Sequence, residues 1–215
     1  MTAQAGGASP SPAPGAARRH FLTLRRRMPA DQRRAAERAI RRELQRLGLW
    51  RRGRRVGVYL GMPGEVDLRP TFQDAWAQGA QLYVPRIRNL RSGEMAFVPL
   101  RPGASMRRNG FGIEEPAGLG RVAVLMLDAV LVPLVAFDGR GHRLGMGAGF
   151  YDRALRRRLD RAQPFRRPRL VGIAYAIQQA AAIERAPWDV ALDLVVTERG
   201  VLHCDAVPSL NPGFQ

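Results

Sequence analysis

The feature that most constrains the fold is a nearly continuous apolar run, AVLVPLVAF, at residues 129–137. A strand with one face in water alternates apolar and polar side chains, and this run does not alternate. Such runs are typical of strands that are buried on both faces of a parallel sheet. The sequence therefore predicts a sheet with helices on both of its faces.

The remaining pattern alternates between strands and helices. Strands are predicted at 55–62, 81–85, 95–100, 170–176 and 193–197, the last being the final strand. Helices are predicted from Gly15 to before Pro29, from Asp31 to Gly48 (with Ala36, Ile40, Leu44 and Leu47 at helical spacing), at 70–79 and at 150–161. This order favours a three-layer α/β/α fold with a mainly parallel open sheet.

The 215 residues suit one domain, which we place at 18–205. Residues 1–17 are uncharged and rich in Ala, Gly, Pro and Ser, so we expect a disordered tail, and 206–215 a loose C-terminal tail. The single cysteine, Cys204, excludes an internal disulfide and a cysteine-based zinc site. With no signal-peptide pattern and no apolar run of membrane-spanning length, we expect a cytoplasmic monomer without a membrane partner.

The chain is strongly basic, with a formal net charge of +17 and arginine as its only strongly basic residue type. The excess lies in two segments, 18–55 with a net of +12 and 153–169 with a net of +7. A solvated arginine-rich helix face and an anion-binding surface both explain this pattern. No aromatic residues interleave with the arginines, so we expect no dedicated nucleic-acid partner, although a polyanion-binding protein remains an alternative.

Three alternating glycines, Gly145, Gly147 and Gly149, lie between the apolar run and a predicted helix. Without side chains, their backbone N–H groups could form a nest for phosphate oxygens at the carboxyl edge of the sheet. A tight strand-to-helix turn would also need glycines. The spacing fits neither the dinucleotide fingerprint nor the Walker A loop.

The segments around these glycines read PLVAFD at 133–138 and GHRLGMGAGFYDR at 141–153. They resemble the signature of the 5-formyltetrahydrofolate cyclo-ligases. In the same order, six further segments resemble that family: YLGMPGEVDLRP, YVPR, MAF, GIEEP, VGIAYAIQ and PWDVALDLVVT. Together they extend the resemblance over about residues 18–197.

The resemblance implies an enzyme that forms a C–N bond, cyclising 5-formyltetrahydrofolate, with or without a polyglutamate tail, to 5,10-methenyltetrahydrofolate. ATP would be the co-substrate, releasing ADP and phosphate, and Mg²⁺ the cofactor. A different α/β enzyme acting on phosphorylated or CoA-linked substrates is the alternative, because a fold does not by itself determine a function.

The resemblance also assigns roles to individual residues. The catalytic residues would be Arg143, Tyr151 and Asp152, and the metal ligands Asp152 and Asp189, with Asp193 competing for the second place. The substrate would contact Leu60, Glu65, Met146, Phe150 and Gln178. ATP would be bound by Arg18, Arg19, Arg143, Leu144, Gly145, Met146, Gly147, Ala148, Gly149, Phe150 and Tyr151.

One position departs from the family pattern. Members usually carry a Lys or Arg four residues before the equivalent of Arg18, and this chain has Pro14 there. We expect the neighbouring Arg19 to replace the missing cation.

Overall fold

The computed structural model describes residues 14–89, 93–108, 114–118, 120–156 and 167–204. These residues form helices α1 (Pro14–Arg27), α2 (Ala30–Arg46), α3 (Arg69–Ala77) and α4 (Phe150–Leu155). The main sheet contains β1 (Arg55–Gly57), β2 (Gln81–Asn89), β3 (Glu94–Leu100), β6 (Ala129–Pro133), β9 (Arg169–Ile173), β10 (Leu194–Thr197) and β11 (Gly200–His203). Two small hairpins pair β4 (Met106–Arg108) with β5 (Glu114–Pro116), and β7 (Ala136–Phe137) with β8 (Arg143–Leu144).

The seven-stranded sheet has the order β11-β10-β9-β6-β1-β2-β3. Its five inner strands are parallel, and the two edge strands, β3 and β11, run antiparallel to their neighbours. The order reverses between β1 and β6, since β1 leads to β2 on one side and β6 leads to β9 on the other. The predicted three-layer α/β fold is confirmed.

Each face of the sheet has its own apolar core. On one face, Ile40 and Leu44 of α2 and Phe72 of α3 pack in a buried cluster that includes Val56 and Leu131. On the other face, Leu155 of α4 packs in a second cluster with Val130 and Val132 of β6. Because neighbouring residues of β6 enter opposite clusters, the strand needs apolar side chains at every position.

The predicted apolar strand at 129–137 is wrong in its length, because it divides after Pro133. The buried amide of Gln178 donates to the carbonyls of Leu134 (2.9 Å) and Val135 (3.0 Å), which therefore leave the ladder with β9. The last two residues then pair with β8 instead. This bend separates the main sheet from the hairpin that carries the glycines.

Other boundaries also differ from the predictions. Strand β1 ends at Gly57 rather than at residue 62, because the chain leaves the sheet after one more backbone bond, from Val58 N to Tyr83 O (2.7 Å). Strand β9 ends at Ile173, and Ala176–Gln178 is a 3-10 turn. The predicted final strand at 193–197 is followed by β11, because Gly200 allows a tight return.

The ends of the chain differ as well. Residues 14–17, which composition assigns to the tail, are the first residues of α1. Residues 1–13 and the predicted C-terminal tail lie outside the described residues, as do residues 157–161 of the predicted fourth helix. Within the described ranges, no helix has the length and apolar character needed to cross a membrane.

Candidate active site

A large cavity lies at the carboxyl ends of the parallel strands, where the strand order reverses. Its walls come from the loop after β1, the segment after β6, helix α1 and the loop at 179–189. Open α/β sheets bind their ligands at this position, since the loops after β1 and β6 diverge there. The cavity has a volume of about 2160 Å³, which exceeds the roughly 300–1,000 Å³ of a typical small-molecule pocket.

The glycine loop forms one wall of this cavity. Gly147 has φ of +102° and Gly149 has φ of +63°, a backbone conformation that L side chains rarely adopt. Arg18 reaches this loop from α1, where its Nε donates to the Gly145 carbonyl at 2.8 Å. A Cβ atom on Gly147 would lie 3.6 Å from the Arg18 guanidinium. The fold thus brings a cation onto the loop from 127 residues away.

Arg143 and Asp152 form an ion pair at the base of the loop. The Arg143 Nη2 donates to Asp152 Oδ1 at 2.6 Å, and its Nη1 donates to the Val190 carbonyl. The same Oδ1 accepts a bond from Val190 N at 3.1 Å. Both side chains line the cavity, and that of Arg143 is almost fully buried. The pair therefore presents one cation and one carboxylate at a single wall.

A second carboxylate, Asp189, lines the same wall next to Val190. Its Oδ2 accepts a bond from Ala186 N at 2.9 Å, which closes the turn that places it. Asp193 lies outside the cavity, and its Oδ2 accepts a bond from Leu170 N at 2.6 Å. Of the two acids, Asp189 therefore lines the same cavity as Asp152, and Asp193 does not.

The donor set is suitable for magnesium bound together with a phosphate. Across the described ranges, no group of three or more His, Cys, Asp or Glu side chains could hold a metal by itself. Mg²⁺ is commonly held by one or two carboxylates plus substrate phosphates and water. Asp152 and Asp189, close to a glycine loop, meet that requirement.

Glu65 lines the end of the cavity that is formed by the turn after β1. Its Oε2 accepts a bond from Met62 N at 3.0 Å, which holds the turn closed. Burial raises the pKa of Glu65, while the Met62 N–H and the charge of Arg25 oppose that rise. Leu60 and the exposed Met62 line the cavity beside it, so this end combines apolar surface with one carboxylate.

Tyr151 lies between the two ends. Its hydroxyl is buried and has no hydrogen-bond partner among the described residues, although the side chain lines the cavity. Burial raises the pKa of Tyr151, so the hydroxyl stays protonated and can donate a bond. Tyr151 thus holds a buried hydroxyl donor without a described partner in a residue that lines the cavity.

Most of the residues predicted from the resemblance line this one cavity, namely Arg18, Leu60, Glu65, residues 143–152 and Asp189. Three predicted residues do not line it: Arg19, Gln178 and Asp193, the competing metal ligand. Arg19 is exposed on α1, whereas Arg153, Arg156 and Arg185 do reach the cavity. Gln178 is buried, and its amide bonds to the backbone of residues 134, 135 and 175.

Within the loop at 179–189, the sequence predicted only Asp189, and the remaining wall residues, 179–186 and Trp188, were missed. The backbone there is anchored by Asp138, whose carboxylate accepts bonds from Ile183 N (3.0 Å) and His142 N (2.9 Å). The alanines at 180–182 gave no signal, since small apolar residues suit any loop. The largely exposed Trp188 was a possible signal, because exposed aromatic residues often mark binding surfaces.

Fold and site together define an α/β protein whose ligand cavity, at a topological switch point, combines a glycine loop with arginine and carboxylate side chains. The sequence model of the 5-formyltetrahydrofolate cyclo-ligase family matches residues 11–198. The chain belongs to this family of ligases.

Individual relatives agree with that assignment. A 5-formyltetrahydrofolate cyclo-ligase of Haemophilus influenzae is 33% identical over 183 residues, covering 83% of this chain and 95% of that protein. One from Escherichia coli K12 is 35% identical over 145 residues, covering 66% and 76%. The NMR structure of Aquifex aeolicus 5,10-methenyltetrahydrofolate synthetase matches with a TM-score of 0.75 and 30% identity, covering 92% of this chain and 96% of that one.

Proposed function

We propose that the chain cyclises 5-formyltetrahydrofolate to 5,10-methenyltetrahydrofolate, using ATP and Mg²⁺ and releasing ADP and phosphate. The observation that carries this proposal is one cavity of about 2160 Å³ that holds both the glycine loop and the Glu65 turn. A reaction that joins phosphoryl transfer to a folate ring closure needs both ligands in contact. A cavity of this size accommodates two ligands side by side.

The glycine loop would receive the phosphates of ATP. Gly145, Gly147 and Gly149 leave the backbone open to close approach, and N–H groups in such loops form anion-binding nests. Arg18 and Arg143 would offset the phosphate charge from two sides, since both line the cavity at this loop. In this role they stabilise charge that develops during phosphoryl transfer.

Asp152 and Asp189 are the residues that would hold Mg²⁺. When bound, the ion would supply charge neutralisation on the phosphates. The Arg143 ion pair holds the Asp152 carboxylate in place, and the turn closed by Ala186 N does the same for Asp189. Both acids are therefore positioned by contacts of this chain alone.

The chemistry follows from the weakness of a formamide as an electrophile. The formyl oxygen would attack the γ-phosphorus, and the bond from that phosphorus to the ADP oxygen would break. N10 would then attack the formyl carbon, the carbon–oxygen bond would break, and phosphate would leave with the N10 proton. Because N10 belongs to the same substrate, the enzyme needs no covalent intermediate and acts by positioning.

The Glu65 end of the cavity would bind the folate. Leu60 and Met62 would contact the pterin ring, and the Glu65 carboxylate would accept bonds from its N–H groups. Tyr151 would donate its unpartnered hydroxyl to the substrate near the point of transfer. The reacting formyl group would then lie between the Glu65 turn and the glycine loop.

A purified-protein assay tests the proposal. The absorbance of the methenyl product should rise only when ATP, Mg²⁺ and 5-formyltetrahydrofolate are all present. Absence of turnover in the complete mixture would contradict it. Thermal stabilisation by CoA-linked or phosphorylated compounds, without any by 5-formyltetrahydrofolate, would favour the alternative class of α/β enzyme.

A further inference from the structure

Arg25 is a buried arginine that the proposed reaction does not use. Only 5% of its surface is exposed, whereas its neighbours Arg26 and Arg27 are exposed on the same helix. Its Nε has no hydrogen-bond partner within the described residues, and the side chain does not line the cavity. Burying a guanidinium is costly unless an opposite charge compensates it. We therefore expect a negatively charged group near the Arg25 guanidinium.

The guanidinium lies directly behind the turn that carries Glu65. Gly64 has φ of +87°, and a Cβ atom there would lie 3.5 Å from Arg25 Nε. That distance is an ordinary van der Waals contact, so the turn packs directly against the guanidinium, and the positive φ is what favours glycine at residue 64. Arg33 holds the other side of Arg25, since its Nη2 donates to the Arg25 carbonyl at 3.1 Å. The C-terminal end of α1 is fastened on this side.

Charge also connects Arg25 with Glu65. Burial lowers the pKa of Arg25, and the negative charge of Glu65 is the largest influence that opposes this. In return, the positive charge of Arg25 opposes the rise that burial causes in the pKa of Glu65. The charges of Arg25 and Glu65 therefore interact across the turn. Glu65 lines the cavity, whereas Arg25 packs on the other side of the turn.

We propose that Arg25 is a positioning residue for Glu65, which keeps that carboxylate ionised and directed into the folate end of the cavity. This inference rests on the proposed function, because the role of Glu65 is to bind the folate. Arg25 itself does not reach the substrate. It acts through the turn at residues 62–65.

Among the described residues, two tyrosines also lie close enough to Glu65 for its charge to affect their pKa. Tyr59 follows β1, and Tyr151 belongs to α4. Burial raises the pKa of both tyrosines, so both are neutral in the working pH range. They cannot replace the positive charge of Arg25. Without the charge of Arg25, burial would raise the pKa of Glu65 further. Glu65 would then take up a proton at a higher pH than in the wild type.

The test compares Arg25→Gln with Arg25→Lys, because both are shorter and polar and only the second keeps the charge. Arg26→Gln is the matched control on the exposed side of the same helix. The measurement is kcat/KM for 5-formyltetrahydrofolate against pH. For Arg25→Gln we expect the acidic limb to move to higher pH, with about a tenfold or larger loss at pH 6 and a smaller loss at pH 8.5. Arg25→Lys and Arg26→Gln should keep the limb of the wild type.

Two results would overturn the proposal. One is an Arg25→Gln profile whose acidic limb matches that of the active wild type. The other is an equal displacement by Gln and Lys, which would mean that shape rather than charge matters. Wild-type protein without any turnover in the same assay would instead contradict the proposed function itself, on which the inference depends.

A double variant covers the case in which Arg25→Gln does not fold. Arg25→Gln/Glu65→Gln removes both charges, so we expect it to recover the fold, as judged by its thermal unfolding transition. Failure of this double variant to fold, while Arg25→Lys folds, would mean that the charge of Arg25 is needed by a partner other than Glu65, and it would overturn the proposal.

Discussion

Arg143 and Asp152 both form hydrogen bonds with the backbone of Val190. The Arg143 guanidinium donates to the Val190 carbonyl, and the Asp152 Oδ1 accepts the Val190 N–H at 3.1 Å. Their own bond of 2.6 Å closes the arrangement. The ion pair thus joins both ends of the glycine loop to the turn that carries Asp189.

We expect Asp152→Asn to lower turnover far more than stability. The Asn oxygen can still accept the bonds from Arg143 and Val190, so we expect a loss of about 1 kcal/mol in the free energy of unfolding. The lost charge removes a proposed magnesium ligand, and kcat should fall by about a hundredfold or more. Steady-state kinetics and thermal denaturation of the same preparation measure both quantities.

Asp193→Asn is the matched control, because Asp193 accepts a backbone bond from Leu170 N outside the cavity. It should lose stability while keeping its turnover. If Asp152→Asn instead lost folding and turnover in parallel, Asp152 would have a structural role only.

Tyr151→Phe should separate binding from stability in a different way. Its hydroxyl is buried without a described partner, so removing it relieves a desolvation cost and leaves the melting temperature unchanged or higher. We expect kcat/KM for the folate to fall about tenfold, the effect of losing one hydrogen bond to the substrate. Thermal denaturation and steady-state kinetics measure the two effects.

Tyr83→Phe is the control for this prediction, because the Tyr83 hydroxyl donates to Gln81 Oε1 (3.0 Å) outside the cavity. Its activity should match that of the wild type. Full activity in Tyr151→Phe would show that the hydroxyl does not contact the substrate.

The ion pair between Arg41 and Asp74 should make stability depend on pH. Arg41 donates to both carboxylate oxygens at 2.6 Å, which fastens α2 to α3, and these bonds lower the pKa of Asp74. A carboxylate whose pKa is lowered in the folded state stabilises the fold above its unfolded pKa of about 3.9. That contribution disappears as the pH falls through the lower, folded value.

Asp74→Asn should therefore be less stable than the wild type at pH 7, by about 1 kcal/mol. The difference should narrow as the pH falls below about 4. Urea denaturation at pH 7 and pH 3 measures it, with Glu43→Gln as the control, since Glu43 pairs with a mostly exposed arginine one turn away. An equal difference at both pH values would show that charge contributes nothing to this contact.

The parts of the fold that could be predicted are those encoded by local patterns. Ile40 and Leu44 recur at helical spacing because one face of α2 packs on the sheet, and both side chains are buried. Strand β6 is apolar throughout because both of its faces are covered. In each case the burial of a residue follows from its place in a repeating local structure.

The parts that could not be predicted depend on contacts between distant residues. The strand that begins at Ala129 ends at Pro133, because Gln178, more than 40 residues further on, bonds to the next two carbonyls. Arg25 and Arg26 are adjacent and chemically identical, and only tertiary packing buries one of them. The resemblance located the glycine loop and named both Arg18 and Arg19, but tertiary structure decides that Arg18 reaches the loop while Arg19 is exposed.

Gln178 provides the last prediction, since its amide satisfies three backbone groups at the bend after β6. Its Oε1 accepts a bond from Tyr175 N at 2.9 Å, and its Nε2 donates to the carbonyls of Leu134 and Val135. Gln178→Leu would leave these buried groups without partners, at a cost of about 1–3 kcal/mol each. We therefore expect a loss of about 3 kcal/mol or more in the free energy of unfolding, measured by urea denaturation. Gln178→Glu should also destabilise at neutral pH, because a carboxylate cannot donate to the two carbonyls.

Gln179→Leu is the control, because Gln179 is the adjacent, exposed residue and does line the cavity. It should leave stability near that of the wild type. Below its melting temperature, Gln178→Leu should keep the KM for 5-formyltetrahydrofolate of the wild type, since the side chain lies outside the cavity. A large rise in this KM with unchanged stability would mean that Gln178 contacts the substrate, as the family resemblance implies, and that the bend after β6 does not depend on it.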